Sequence, residues 1–202
     1  MPVLTPAMAI TRTTLLDYYF ESFDATAETA VIWVYRAWVQ DGSTQLQVAY
    51  GDGPSDQSVA ASTVFSKETD LAVGFLWNES SGDLIDVSGN GNDGTVYGAT
   101  RGATGIVNGA YSFDGSDDYI DCEGFYFVTG SGNRTQLVWI KTIANDRRRI
   151  SGYGTNAPGE KWGIRQDEDN NFGLRVEHGG GFVTGSTPLN DGSWHLATVL
   201  LN

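Results

Sequence analysis

From Leu71 onward, glycine and asparagine clusters cut the chain into short apolar runs roughly ten residues apart, and no window of about 15 residues carries a helical apolar period. Regular short segments of this kind build antiparallel sandwiches or jelly rolls rather than helical bundles. Strands are expected over 71–77, 94–97, 110–113, 119–122, 136–142, 161–165, 172–177, 182–185 and 194–201, with a charged hairpin loop, QDEDNN, joining two of them. Glycine supplies 26 of the 202 residues without a Gly-X-Y period, so the excess reads as tight turns. Before residue 71 the pattern differs. VIWVYRAWV over 31–39 and LQVAY over 46–50 read as strands, GDGPSDQS is strong punctuation, and 59–70 has room for one helical turn. The expected organisation is a small β-rich segment, residues 1–70 (an arm plus a partial β-domain), followed by one all-β domain, residues 71–202.

Charge narrows the function. Twelve Lys and Arg face 25 Asp and Glu, a net charge of −13. Such a surface repels phosphate backbones and anionic membranes, so nucleic-acid binding and membrane insertion are not expected. No stretch approaches the roughly 20 apolar residues of a membrane span. The opening residues lack a basic start followed by an apolar run, so no export signal is expected there. Only three of the cations are lysines (Lys67, Lys141, Lys161), a balance suited to concentrated salt and to a halophilic source. The single cysteine, Cys122, cannot form an internal disulfide or a zinc knuckle and reads as a small, buried strand residue.

Four motifs from residue 71 onward share an order with a known family. Trp77 with Glu79 is followed by Asp86-Val87-Ser88-Gly89-Asn90-Gly91-Asn92. Phe113-Asp114-Gly115-Ser116-Asp117-Asp118-Tyr119 comes next, and Asp191-Gly192-Ser193-Trp194-His195 closes the series. This part of the chain resembles the concanavalin A-like, laminin-G-like jelly roll. Where that family's first strand reads Trp-His-Leu, this chain has Phe75-Leu76-Trp77. The segment before it, with Glu21, Trp33, Tyr50, Gly51 and Asp52, resembles the later half of an uncharacterised β-domain that often precedes such jelly rolls in bacterial and archaeal surface proteins. The resemblance implies a lectin-like sandwich acting outside the cell. The chain stops at Asn202, just after a strand that relatives normally follow with several more. An incomplete C-terminal edge is therefore expected, completed by self-association or by neighbouring subunits of an assembly.

Three chemistries follow. Calcium is the expected cofactor: Asp86, Asn90, Asn92 and Asp93 in one glycine-rich loop, with Asp114, Asp117 and Asp118 in the next, offer the oxygen ligands hard cations take. In fold relatives a structural calcium commonly sits near the sandwich edge. The bland alternative is that these side chains cap turns or face water. Glycan recognition needs aromatic platforms with polar neighbours. Tyr97, Tyr119, Tyr126, Tyr153, Trp162 and Phe182 are the loop-adjacent aromatics, each with core or edge packing as its bland reading. Arg148 of the Arg147-Arg148-Arg149 cluster is the anion contact, or else part of a solvated hairpin tip. Trp77, Trp139 and Trp194 are assigned to the core. Catalysis is not expected, because Asp167-Glu168-Asp169 is consecutive in a turn and no nucleophile elbow occurs.

These readings converge on a non-catalytic, lectin-like adhesion module for cell-surface glycans or glycoproteins. It would be displayed outside the cell or on a virion surface, where particle release removes the need for an export signal. Two alternatives stand beside it: a purely structural capsid or surface-assembly subunit, and an accessory glycan-binding fragment of a larger secreted enzyme.

Overall fold

Glycine-rich turns hold the strands to between three and eight residues, and every strand pair is antiparallel. The computed structural model describes residues 5–8, 18–24, 26–27, 29–34, 48–51, 60–67, 70–107, 109–123, 128–155, 157 and 159–201. Among them the protein is almost wholly β. Its contacts divide into two compact units, Met1–Glu123 and Gly124–Asn202.

The first unit opens with β1 (Thr5–Met8), β2 (Tyr18–Asp24), β3 (Thr29–Val34) and β4 (Val48–Gly51). Strand β1 pairs with β4. Strand β2 pairs with β3 through a register shift that leaves Glu21 as the extra residue between Phe20 and Ser22. Of the strand expected over 31–39, the part from Val31 to Val34 forms β3, and residues 35–39 lie outside the described residues. The helical turn expected between 59 and 70 is α1 (Ala61–Phe65), which buries Val64 and sets the Phe65 ring 5.2 Å from Trp33.

Strands β5 (Thr95–Tyr97), β6 (Thr100–Thr104), β7 (Gly109–Ser112) and β8 (Tyr119–Asp121) follow, paired β5–β8 and β6–β7. Leu84, Ala99 and Tyr111 form the core of this unit, with Phe75, Trp77, Val96 and Ile120 packed around them. Trp77 stands edge-on to Phe75 at 5.8 Å and to Tyr111 at 5.4 Å. The strand expected over 71–77 does not form. Phe75 makes one bridge, to Asp86, and Trp77 adopts a left-handed φ of 61° that ends any extended run. Glu79 ties the following turn down, accepting from Tyr111 Oη at 3.0 Å and from the Ile85 N–H at 3.1 Å.

The second unit has two layers. One is β9 (Arg134–Lys141) paired with β14 (Trp194–Leu201). The other is the sheet β10 (Arg148–Tyr153), β11 (Trp162–Asp167), β12 (Gly173–His178) and β13 (Gly181–Thr184), in sequence order. A 3₁₀ turn at Glu168–Asn170, followed by Asn171 and Phe172 with φ of 52° and 57°, makes the charged hairpin between β11 and β12. The layers meet through Trp162, Ile164 and Val199, with Ile150, Tyr153, Leu174, Val176 and Leu201 around them.

Alternation along β9 sends Val138 and Ile140 inward and leaves Trp139 47% exposed, directly opposite exposed Leu196. The expectation that Trp139 lies in the core is therefore corrected. Trp194 is partly buried, and Trp162, a loop-adjacent glycan-platform candidate, is only 2% exposed. The reason is register, since Trp162 is in phase with Ile164 on the face that meets β14.

Candidate functional site

The first loop expected to bind calcium, residues 86–93, uses its polar atoms on itself. Asp86 Oδ1 accepts from the Gly74 N–H at 3.0 Å and the Ser88 N–H at 2.9 Å. Its Oδ2 accepts from Ser88 Oγ at 2.8 Å and the Asn92 N–H at 3.0 Å. Asp93 Oδ1 accepts from the Asp86 N–H at 2.8 Å. The amide nitrogens of Asn90 and Asn92 turn inward and donate to the carbonyls of Leu71 and Ala72. Burial pushes the Asp86 carboxyl up, but the hydrogen bonds from Gly74, Ser88 and Asn92 outweigh it and hold the group below its ordinary value. Four donors already occupy that carboxylate, so this loop is a clasp on residues 71–74 and does not fit a cation.

Sequence order places the second loop between β7 and β8, and its carboxylates are spent differently. Asp118 Oδ2 accepts from the Asp114 N–H at 2.7 Å, and Asp114 Oδ1 accepts from the Ser116 N–H at 2.7 Å. Among the described residues, Asp117 makes no hydrogen bond to protein, and none of the three carboxylates has an ion pair. Ligand oxygens of Asp114, Asp117 and Asp118 all lie within 4.8 Å of one another. This hard, anionic donor set at the surface fits calcium, with further ligands left to water or to ligand hydroxyls.

Beside it, register pairs Tyr97 on β5 with Tyr119 on β8. Their rings stack at 4.5 Å and 14°, and the two residues are 43% and 52% exposed. Asp118 precedes Tyr119 directly. Gly98 follows Tyr97 at a φ of 74°, and a Cβ there would come within 2.0 Å of Asp118 Oδ1. Only glycine lets the carboxylate lie this close to the Tyr97 strand. The fold thus brings Tyr97, Tyr119, Asp114, Asp117 and Asp118 to one end of the β5–β8 pair.

Nearby in sequence, Cys122 lies half-buried at the end of β8. Burial first, then the charges of Asp121, Asp86 and Asp93, push its thiol above the ordinary range.

The remaining candidates fall in the second unit, and they separate. Tyr126 lies outside the described residues. Tyr153 and Trp162 are structural: Tyr153 Oη donates to the Val128 carbonyl and accepts from Arg134, whose guanidinium sits 4.7 Å over the Trp162 ring. Trp162 Nε1 donates to Gln136 Oε1 at 2.9 Å. Arg148 is paired with Asp146 at 2.6 Å, and Arg147 with Glu168 at 3.2 Å. Of the three consecutive arginines, sequence reasoning picked a paired one. A bulge at Ile150 sets Arg149 opposite Arg165 on the face turned away from β9 and β14, where it makes no ion pair among the described residues. Only the register reveals this.

That same face carries a charged network. Glu177 receives Lys161 at 2.8 Å and faces Arg165 and Arg175 at 3.0 and 3.2 Å. The Lys161 hydrogen bond foremost, opposed by burial and aided by the two arginines, holds the Glu177 carboxyl below its ordinary value.

Comparison with known proteins adds one finding. Residues 7–88 match the Domain of unknown function (DUF2341). The match runs from β1 through the two N-terminal strand pairs and α1 to Ser88 in the Asp86 clasp. No curated protein and no solved structure matches the chain.

Proposed function

We propose that this protein is a non-catalytic, lectin-like recognition module of the concanavalin A-like, laminin-G-like type, binding cell-surface glycans through the Tyr97–Tyr119 end of its first unit. The observation that carries this reading is the exposed tyrosine stack beside three carboxylates. Sugar rings present an apolar face that aromatic rings cover, and their hydroxyls are ligands for a hard cation. Calcium held by Asp114, Asp117 and Asp118 would supply such coordination, and Tyr119 and Tyr97 would supply the stacking surface. Display on an extracellular assembly or virion suits the acidic, lysine-poor composition.

A glycan array probed with the intact chain, with and without a chelator, tests it. Binding that disappears with chelator and in Tyr119→Ala is the expected result. Binding that survives both, or no binding at all, sinks the reading.

A second reading is a structural subunit of a surface assembly. It is favoured by the outward face of β9 and β14, where Leu137, Trp139, Leu196 and Leu200 are all exposed. A concentration-independent oligomer in light scattering, without any bound glycan, would select it.

A further inference from the structure

On the second unit, the face of β10–β12 turned away from β9 and β14 is cation-rich, in contrast to the acidic chain as a whole. Direct cross-strand partners place Arg149, Arg165 and Arg175 in one row across three strands. Lys161 joins them, so four cations meet two carboxylates, Asp167 and Glu177. Like charges directly opposite one another destabilise a sheet. The carboxylates compensate incompletely. Glu177 Oε1 is shared between two guanidinia, and the buried Nε–H groups of Arg165 and Arg175 have no aligned hydrogen-bond acceptor. The Arg165 side chain is only 8% exposed. The two Nε atoms lie 3.0 and 3.2 Å from Glu177 Oε1, so a single carboxylate oxygen serves two guanidinia and part of their donor capacity is left open.

Two clefts flank the row, of about 320 and 370 Å³, and Lys161 lines both. The first is formed by Arg175, Glu177, His178, Gly179–Gly181 and Phe182. The second is formed by Arg149, Gly152, Tyr153, Gly154 and Trp162. The Arg149 guanidinium lies across Gly152 and Gly163, where a Cβ on either would come within 2.6 Å of its Nη1. Two side chains are absent where the cation rests. Exposed Phe182, with the Arg175 guanidinium 3.5 Å over its ring, adds an apolar wall.

We propose that this face is a second ligand site, one that takes the oxyanion of an acidic sugar, a carboxylate or a sulfate ester, between Arg149 and Lys161, with the sugar ring against Phe182. Planar guanidinium donors suit both oxyanions, and the cation excess leaves charge for one. Charges on the distant acidic surface are largely screened beyond about 8 Å at physiological ionic strength, so the chain's net charge does not bar an anion there. The site stands independently of the Tyr97–Tyr119 reading, since every residue in it belongs to the second unit.

The test uses the intact chain with glucuronate, glucose 6-sulfate, glucose and inorganic sulfate, followed by NMR shifts of the arginine Nε–H groups and the Gly163 amide. Both acidic sugars should bind at least about tenfold more tightly than glucose, with inorganic sulfate competing. A preference between the two anions identifies the carboxylate or the sulfate source. Arg149→Gln should weaken binding about tenfold. Gly163→Ala should do the same by displacing the flexible end of Arg149, without altering the urea midpoint. Glucose binding equal to that of the acidic sugars, or both variants binding like the parent, would overturn the proposal. Chelator-sensitive binding lost in Tyr119→Ala but retained in Arg149→Gln belongs to the first unit, so the two proposals fail separately.

Discussion

The loops at 86–93 and 114–118 look alike as strings of Asp, Asn, Ser and Gly, yet the fold puts them to opposite uses. Asp86 is buried, and four donors from three residues converge on it, so its charge is consumed in holding residues 71–74 against the unit. Asp114 and Asp118 each accept one backbone N–H, and Asp114 and Asp117 are exposed while Asp118 is half-buried. The number of N–H groups within reach decides whether a carboxylate is mortar or stays open at the surface. Composition does not.

Substitution at the clasp separates the loops most sharply. Asp86→Ala removes the acceptor for four hydrogen bonds at a buried position and should destabilise the fold by about 3 kcal/mol, measured as a lower urea midpoint. Asp117→Ala should change the midpoint by less than about 0.5 kcal/mol. Equal effects would erase the distinction.

Acid sharpens the same contrast. The Asp86 carboxyl is held below its ordinary 3.8, so its contribution is fully present above that pH and is lost as the pH falls through the depressed value. Glu177, held below 4.5, behaves likewise in the second unit. Stability titrated from pH 5 downward should therefore fall, and Asp86→Asn should remove its share of that loss. An unchanged profile in the variant would show that the clasp is not titrating.

Gly98→Ala comes next in size. It forces a Cβ onto a left-handed backbone and against Asp118, with an expected cost of roughly 1–2 kcal/mol in chemical denaturation. It should also disturb the neighbouring carboxylates, so terbium luminescence sensitised by the tyrosines should weaken with it. The same luminescence should fall in Asp117→Asn combined with Asp118→Asn and stay intact in Ser88→Ala. A smaller effect than that of Gly98→Ala is expected for Tyr97→Ala, about 0.5–1 kcal/mol from the lost cross-strand stack.

Much of the architecture was legible because strand periodicity is local. The runs at 94–97, 119–122, 136–142 and 194–201, the turn α1 and the charged hairpin all sit where alternation and punctuation place them. Segment 71–77 was not legible. Its apolar residues suggest a strand, but the left-handed Trp77 and the long-range bonds from Asn90 and Asn92 make it an irregular strap. Strands β6 and β10 escaped notice because Thr100–Thr104 and Arg148–Tyr153 carry little β-branched apolar content. Facing was hardest. Trp139 is exposed and Trp162 covered because phase relative to the partner sheet, not residue type, decides which indole is buried. Arg149 was hidden among its neighbours for a similar reason, since the bulge at Ile150 sets which residue of β11 it faces and alternation turns it away from Arg148.

Cys122 gives the molecule a single built-in timer. Its sulfhydryl is shielded by packing and kept protonated by three surrounding acids, so an alkylating reagent at neutral pH finds little thiolate to attack. Labelling speed therefore rises when the packing of Gly94 against the sulfur loosens, which makes it a clock for breathing of the first unit.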